Sequence, residues 1–366
     1  MKPQRLRILN VHNVPAHYRA GLFRQLQERH EQEVVFFQGP KVWREARNLV
    51  LVHGFRAETL EGPLLWRWLQ LAQRIFFGRY DLLLMTFDGK LEPLMALLAA
   101  KLRRKPCVLW HGLWDVPRRG LWRLVQPFLG PFFQSWDAIL TYGPHTQRTL
   151  VAQGVPPSKV FLAPQTVDNT IFARPVSAAL RAQTREAWGL QRANACLFVG
   201  RLVEDKGLRI LAEAVARTRG RWRLITVGEG PLKGLPGMHL GHRAPEDLAL
   251  IYASADCLVL PSITTESFRE PWGLVINEAM NQGLPVIATN AVGAAAGGLA
   301  EHERSALVVP EKDPAALADA LMRFDRDPEL ARRLGQEGKR RIAHLTYADM
   351  ADHFEAAFDH ACHAVV

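Results

Sequence analysis

The chain has 366 residues, 48% of them hydrophobic and 22% charged, with 46 Lys+Arg against 36 Asp+Glu for a formal net charge of +10. That balance excludes a disordered or fibrous chain and predicts two domains, each long enough to bury its own core. The charge is uneven: residues 1–175 carry 24 Lys+Arg and 12 Asp+Glu, the remainder 22 and 24, and seven of the ten tryptophans lie in the basic part. A basic, Trp-rich half fits an anionic membrane, a nucleic acid or simply a solvated face.

Short apolar runs punctuate the first half at residues 5–11, 33–38, 81–87, 106–110, 137–142 and 159–163. Helical spacing lies between them at 20–29, 91–102 and 145–153. Continuous apolar strands separated by helices predict a parallel sheet covered on both faces. The polar, Arg- and Gln-rich stretch 173–194 reads as a linker. The alternation then restarts, with strands at 195–199, 223–227, 257–260, 285–288 and 306–309. Helices are expected at 207–218, 245–253 and 274–282, then at 314–324 with Asp313 as N-cap and Pro314 first in the helix, and at 328–341 and 347–361. The fold class is α/β: two Rossmann-like doubly wound domains facing a central cleft. The first domain is 1–172, the linker 173–194 and the second domain 195–345; the segment 346–366 forms a helix packing back on the first domain.

The four cysteines are dispersed and make no CxxC spacing, so neither a zinc site nor a disulfide framework is expected. Three lie in strand-like runs, which points to a reducing, cytoplasmic compartment. The apolar run near the start is too short for a signal-peptide core, and no stretch reaches the ~20 apolar residues that span a bilayer.

Four segments of the second half set charged or glycine-rich groups at strand ends. In GRLVEDKG, Arg201 and Lys206 flank a strand–helix loop and can converge on one anion, or can be ordinary surface cations. In GEGP, Gly228, Glu229 and Gly230 form a plain turn or let a flat group approach the backbone. In ESFREPWGLVINEAM, Glu270 precedes a helix and Glu278 lies within it, while Gly273 and Leu274 stand at its N-terminus with free amides suited to an anion. Glu278 sits among apolar neighbours and needs a partner, either an internal salt bridge or sugar hydroxyls. The fourth segment, GLPVIAT, is a turn into a strand.

Taken in order, GRLVEDKG, GEGP, ADCLVLPS and EPWGLVINEAMNQGLPVIAT resemble the donor-binding half of the retaining glycosyltransferases of family 4, which have the GT-B fold. The resemblance spans about residues 160–345. It implies that Arg201 and Lys206 bind the donor diphosphate and that Glu270 contacts the transferred sugar. It implies that Glu278 contacts the ribose, that Gly273 and Leu274 offer amides to phosphate or sugar, and that Gly228–Gly230 lie near the nucleoside. The first half resembles the family more loosely. His12–Arg19 replaces a glycine-rich loop and looks like a subgroup with a Pro-x-x-Tyr-Arg signature, and His111 follows a strand as the family's active-site histidine does. Asp168 matches a structural turn.

The resemblance implies transfer of a sugar from a UDP-sugar or GDP-sugar, with retention, to a glycan or lipid-linked glycan acceptor. Bacterial cell-surface polysaccharide, lipopolysaccharide or glycolipid synthesis is the expected setting. No Asp-x-Asp motif is suitably placed, so no metal and no cofactor is expected. Related alternatives are a non-hydrolysing sugar-nucleotide epimerase and a non-catalytic sugar-nucleotide-binding protein. Leu64–Tyr80 and the run from Arg118 to Phe133 mix Trp, Phe and Arg at helical spacing, as interfacial helices on anionic lipid do, or as core-facing helices with snorkelling arginines do. Peripheral contact of the first domain with the inner face of the cell membrane is therefore expected. Nucleic acid is not, since no recognised motif accompanies the charge.

Overall fold

The computed structural model describes residues 5–13, 16–37, 55–87, 91–114, 122–190, 193–266 and 268–364. Pro15 of the Pro-x-x-Tyr-Arg signature, the stretch 115–121 and Ser267 lie outside the described residues.

Short strands of two to six residues, the central ones apolar and buried on both faces, give two wholly parallel sheets. The first contains β1 (Arg7–His12), β2 (Glu31–Phe36), β3 (Ala57–Thr59), β4 (Leu82–Phe87), β5 (Cys107–His111), β6 (Ala138–Thr141) and β7 (Val160–Leu162), in the order β3-β2-β1-β4-β5-β6-β7. The second contains β8 (Asn194–Val199), β9 (Trp222–Val227), β10 (Met238–His239), β11 (Cys257–Leu260), β12 (Val286–Thr289) and β13 (Leu307–Val309), in the order β10-β9-β8-β11-β12-β13. Both are doubly wound. Strand order reverses between β1 and β4 in the first sheet and between β8 and β11 in the second. Ligands of such sheets bind beyond the carboxyl ends at that point.

The chain divides into two compact units, 1–164 with 347–366, and 165–346. The last helix, Tyr347–His363, belongs to the first unit. It buries Met350, Phe354, Phe358 and Ala361 against β5, β6, β7 and the helix Ala20–Arg29. Polar contacts fix it along its length: Tyr347 donates to the Tyr18 carbonyl (2.8 Å), Arg29 pairs with Asp352 (2.6 Å) and His30 Nε2 meets Glu355 (2.9 Å).

The stretch 173–194 is not an open linker. Residues Ala178–Ala187 form a helix capped by Ser177, whose hydroxyl accepts from the Leu180 amide (3.2 Å). This helix packs on Pro245–Ser254, and Arg185 ties it to Asp256 (2.8 Å) and the Ser254 carbonyl (2.9 Å). It buries none of its own residues, so it carries no apolar stripe for the sequence to display. Elsewhere local chemistry acts as expected. The Asp313 carboxylate accepts from the Ala315 and Ala316 amides, both at 2.9 Å, and the Asp168 carboxylate accepts from Thr170 N (3.0 Å), a structural cap.

Candidate functional site

The second unit brings its four motifs together at the carboxyl ends of β8, β9, β11 and β12. Glycines allow the approach. The loop after β8 and the loop after β9 are laced backbone to backbone: Leu202 N donates to the Glu229 carbonyl (2.9 Å) and Leu232 N to the Leu202 carbonyl (3.1 Å). A Cβ on Gly228 would meet the Gly200 carbonyl, and one on Gly230 the Leu202 carbonyl. Gly207, at φ +68°, seats against the Pro261 carbonyl beyond β11, and Ile263 N donates to the Asp205 carbonyl (3.0 Å). Gly293 N donates to the Glu270 carbonyl (3.0 Å), joining the segment after β12 to the Glu270 loop.

These contacts set the charges. Lys206 and Glu270, 64 residues apart, form a largely buried ion pair. Ser262 Oγ donates to the same Glu270 oxygen (3.0 Å), and the Lys206 ammonium lies 5.2 Å from the centre of the Phe268 ring. The Arg201 side chain is exposed and makes no hydrogen bond or ion pair among the described residues, while its carbonyl accepts from Val203 N (3.0 Å). Its fork is available to an anion arriving beside the pair. Glu229 is exposed, and its backbone rather than its carboxylate is engaged in the loop.

Gly273, at φ +95°, turns the chain into the helix Leu274–Asn281. A Cβ there would lie 2.5 Å from Leu260 Cδ2 and 3.1 Å from Val292 Cγ1. The first amides of this helix lack intrahelical acceptors and carry the positive end of its dipole. One turn in, Glu278 accepts from the Tyr252 hydroxyl (2.5 Å). Burial pushes its carboxyl up to about 7, an effect the Tyr252 hydrogen bond partly offsets. Among the described residues Glu278 makes no salt bridge; its partner is the Tyr252 phenol.

Sequence reasoning missed four supports: Ser262, Tyr252, Trp272 and Asn277. Trp272 Nε1 donates to Asn277 Oδ1 (2.9 Å), and Asn277 Nδ2 donates to the Gln165 carbonyl (2.8 Å). This chain of bonds holds the entry to the helix. Only their places inside the motifs signalled Ser262, Trp272 and Asn277, and nothing local signalled Tyr252.

His111 belongs to the first unit. Its ring is 1% exposed, between Phe87 and Phe133 at 5.1 Å each, and burial pulls its pKa down to about 3. It is a neutral, enclosed imidazole, which departs from the expectation of a substrate-facing histidine. The last residue of β5 turns its side chain toward the face that the helix Trp122–Gln134 covers. Next to it a second buried cluster closes the carboxyl end of β1. Arg19 Nη1 donates to His12 Nδ1 (3.0 Å), Thr86 Oγ1 lies 2.6 Å from the same nitrogen, and the guanidinium lies 4.6 Å over Trp110. Burial, aided by Arg19, holds His12 well below the ordinary imidazole range.

Residues 17–170 match the family model described as Glycosyltransferase Family 4, and residues 193–327 match the model described as Glycosyl transferases group 1. The chain is 27% identical to the D-rhamnosyltransferase WbpZ of Pseudomonas aeruginosa, over 66% of this chain and 64% of that protein. It is 28% identical to WcaL of Salmonella typhimurium, whose name assigns it provisionally as a colanic acid biosynthesis glycosyltransferase, over 62% of this chain and 56% of that protein. The matches thus span under two thirds of these relatives' length. Among solved structures, Anabaena HepE in complex with UDP and glucose shares the fold at a TM-score of 0.79 and 17% identity, over 97% of this chain and 100% of that one. The two Rossmann-like sheets are those of the GT-B fold.

Proposed function

Since the chain belongs to glycosyltransferase family 4, we propose that it moves a sugar from a UDP-sugar or GDP-sugar to a hydroxyl of a glycan or lipid-linked glycan, with retention at the anomeric carbon. The setting is bacterial cell-surface polysaccharide or glycolipid synthesis. The observation that carries this reading is the meeting of Lys206 and Glu270 at the carboxyl ends of the second sheet, with an exposed Arg201 on the same loop as Lys206.

In this reading Arg201, Lys206 and the amides at Gly273 and Leu274 receive the donor diphosphate. Glu270 accepts from hydroxyls of the transferred sugar, Glu278 from the ribose, and Gly228–Gly230 bring the backbone close to the nucleoside. As the glycosidic C–O bond breaks, charge grows on the leaving phosphate oxygen. Preorganised cations and helix amides stabilise that charge most where it develops. The same oxygen takes the proton of the acceptor hydroxyl, whose oxygen bonds to the anomeric carbon on the face just vacated. Two cations and a helix N-terminus supply the countercharge, so the reading includes no essential divalent metal, and chelation leaves turnover unchanged.

The test is nucleoside-diphosphate release from a panel of nucleotide sugars in the presence of a bacterial glycolipid extract. Replacing Lys206 or Arg201 by alanine lowers turnover by roughly 10²–10³-fold while the fold stays intact. Near-normal turnover in both variants, or an epimerised sugar nucleotide from donor alone, contradicts the proposal.

A further inference from the structure

Two helices of the first unit carry apolar stripes on their outer faces. The helix Leu64–Phe77 buries Leu71 and Ile75 and packs Trp68 against the core. On its other side Leu64, Leu65, Trp66, Leu69, Phe76 and Phe77 are 38–82% exposed. The helix Glu92–Leu102 buries Pro93, Ala96, Ala99 and Ala100, yet leaves Leu94, Leu98 and Leu102, one turn apart in succession, 43–76% exposed. An ordinary surface helix puts polar residues on that face.

The helices lie side by side. Arg103 Nη1 donates to the carbonyls of Ile75 (2.8 Å) and Gly78 (2.9 Å), clamping the two C-terminal ends together. Phe77 and Leu102 therefore project from one end of the pair, with exposed Arg79 and Arg104, and part-buried Lys105, close by in the chain. Neither helix offers an exposed acid: the first has no Asp or Glu, and Glu92 of the second is buried.

We propose that this two-helix face docks the first unit on an anionic lipid bilayer, the stripes entering the acyl boundary and the arginines meeting headgroup phosphates. Apolar side chains backed by basic residues without acids are the complement of such a surface. A second copy of the chain fits less well, because it would bring like charges together. No helix among the described residues is long and apolar enough to cross a membrane, so the contact is with the surface. The inference is independent of the sugar-transfer reading.

The test is co-sedimentation with phosphatidylcholine vesicles, with and without phosphatidylglycerol, at low and high salt. Three proteins are compared: the wild type, a double variant F77S/L98S and a triple variant R79Q/R104N/K105Q. All substituted side chains lie outside the core, and thermal unfolding checks that each variant folds. The wild type binds phosphatidylglycerol vesicles at low salt and loses binding at high salt. The double variant partitions about tenfold less well, and the triple variant on the order of a hundredfold less well. Quenching of Trp66 fluorescence by lipids brominated along the chain reads the same contact in the wild type. Absence of binding at low salt, unchanged binding in both variants, or a dimer in solution that F77S/L98S dissolves would overturn the proposal.

Discussion

Glu278 shows how far a residue's chemistry depends on what surrounds it. Its pKa is raised from the ordinary 4.5 to about 7 by burial. The folded state thus holds a proton that the unfolded chain gives up, so the stability Glu278 contributes at low pH is lost as pH rises from about 4.5 through about 7. Ribose hydroxyls donate to a carboxylate, so donor binding favours the ionised form. Affinity for the nucleotide sugar then rises between about pH 6 and about pH 8, and Glu278→Gln binds more weakly with a flat profile. Calorimetric titration at several pH values checks this; a flat wild-type profile contradicts it. Gly207 permits a second check. Its positive φ and its seat against the Pro261 carbonyl leave no room for a side chain, so Gly207→Ala shifts the Lys206 loop. Both donor affinity and melting temperature fall, and an unchanged pair of values would contradict the geometry. At this scale the motif charges and glycines were legible in the sequence because each stands at the end of an apolar run. Ser262 and Tyr252 were not, because their roles arise only when the segment after β11 folds back on the Glu270 loop and the helix Pro245–Ser254 packs on the helix Leu274–Asn281.

Elements that bury a face were legible to within a residue or two, as β4 and β11 illustrate. Those that bury none were not. The edge strands β3 and β10 have three and two residues and no apolar run. The helix Ala178–Ala187 lies on the surface throughout, so its sequence reads as a polar linker. The last helix is the opposite case. Phe354, fully buried, lies 5.0 Å from Trp110 of β5 and 6.0 Å from Phe358. The end of the chain thereby completes a core begun near its start. Phe354→Ala lowers the unfolding free energy by about 3–5 kcal/mol, measured by chemical denaturation. A loss under about 1 kcal/mol would mean that the helix adds little to that core.

At the scale of the whole molecule, the excess charge and the site separate. The unit that gathers Arg201, Lys206, Glu270 and Glu278 belongs to the nearly neutral half, while the basic half carries the two apolar stripes. Most of the +10 therefore lies away from the candidate donor site and, on the proposal above, on the unit that would meet a lipid surface. The central claim, that the second unit holds a nucleotide sugar through Lys206 and its neighbours, is tested most directly by thermal unfolding of the full chain against a panel of UDP- and GDP-sugars. A true donor stabilises the fold by mass action, about 2.7 kcal/mol at a hundred times its dissociation constant. The account predicts that at least one nucleotide sugar raises the melting temperature of the wild type, and that Lys206→Ala, which leaves Glu270 without its cation and lowers the unliganded melting temperature, loses the ligand-induced shift. No shift with any donor, or an equal shift in Lys206→Ala, would contradict it.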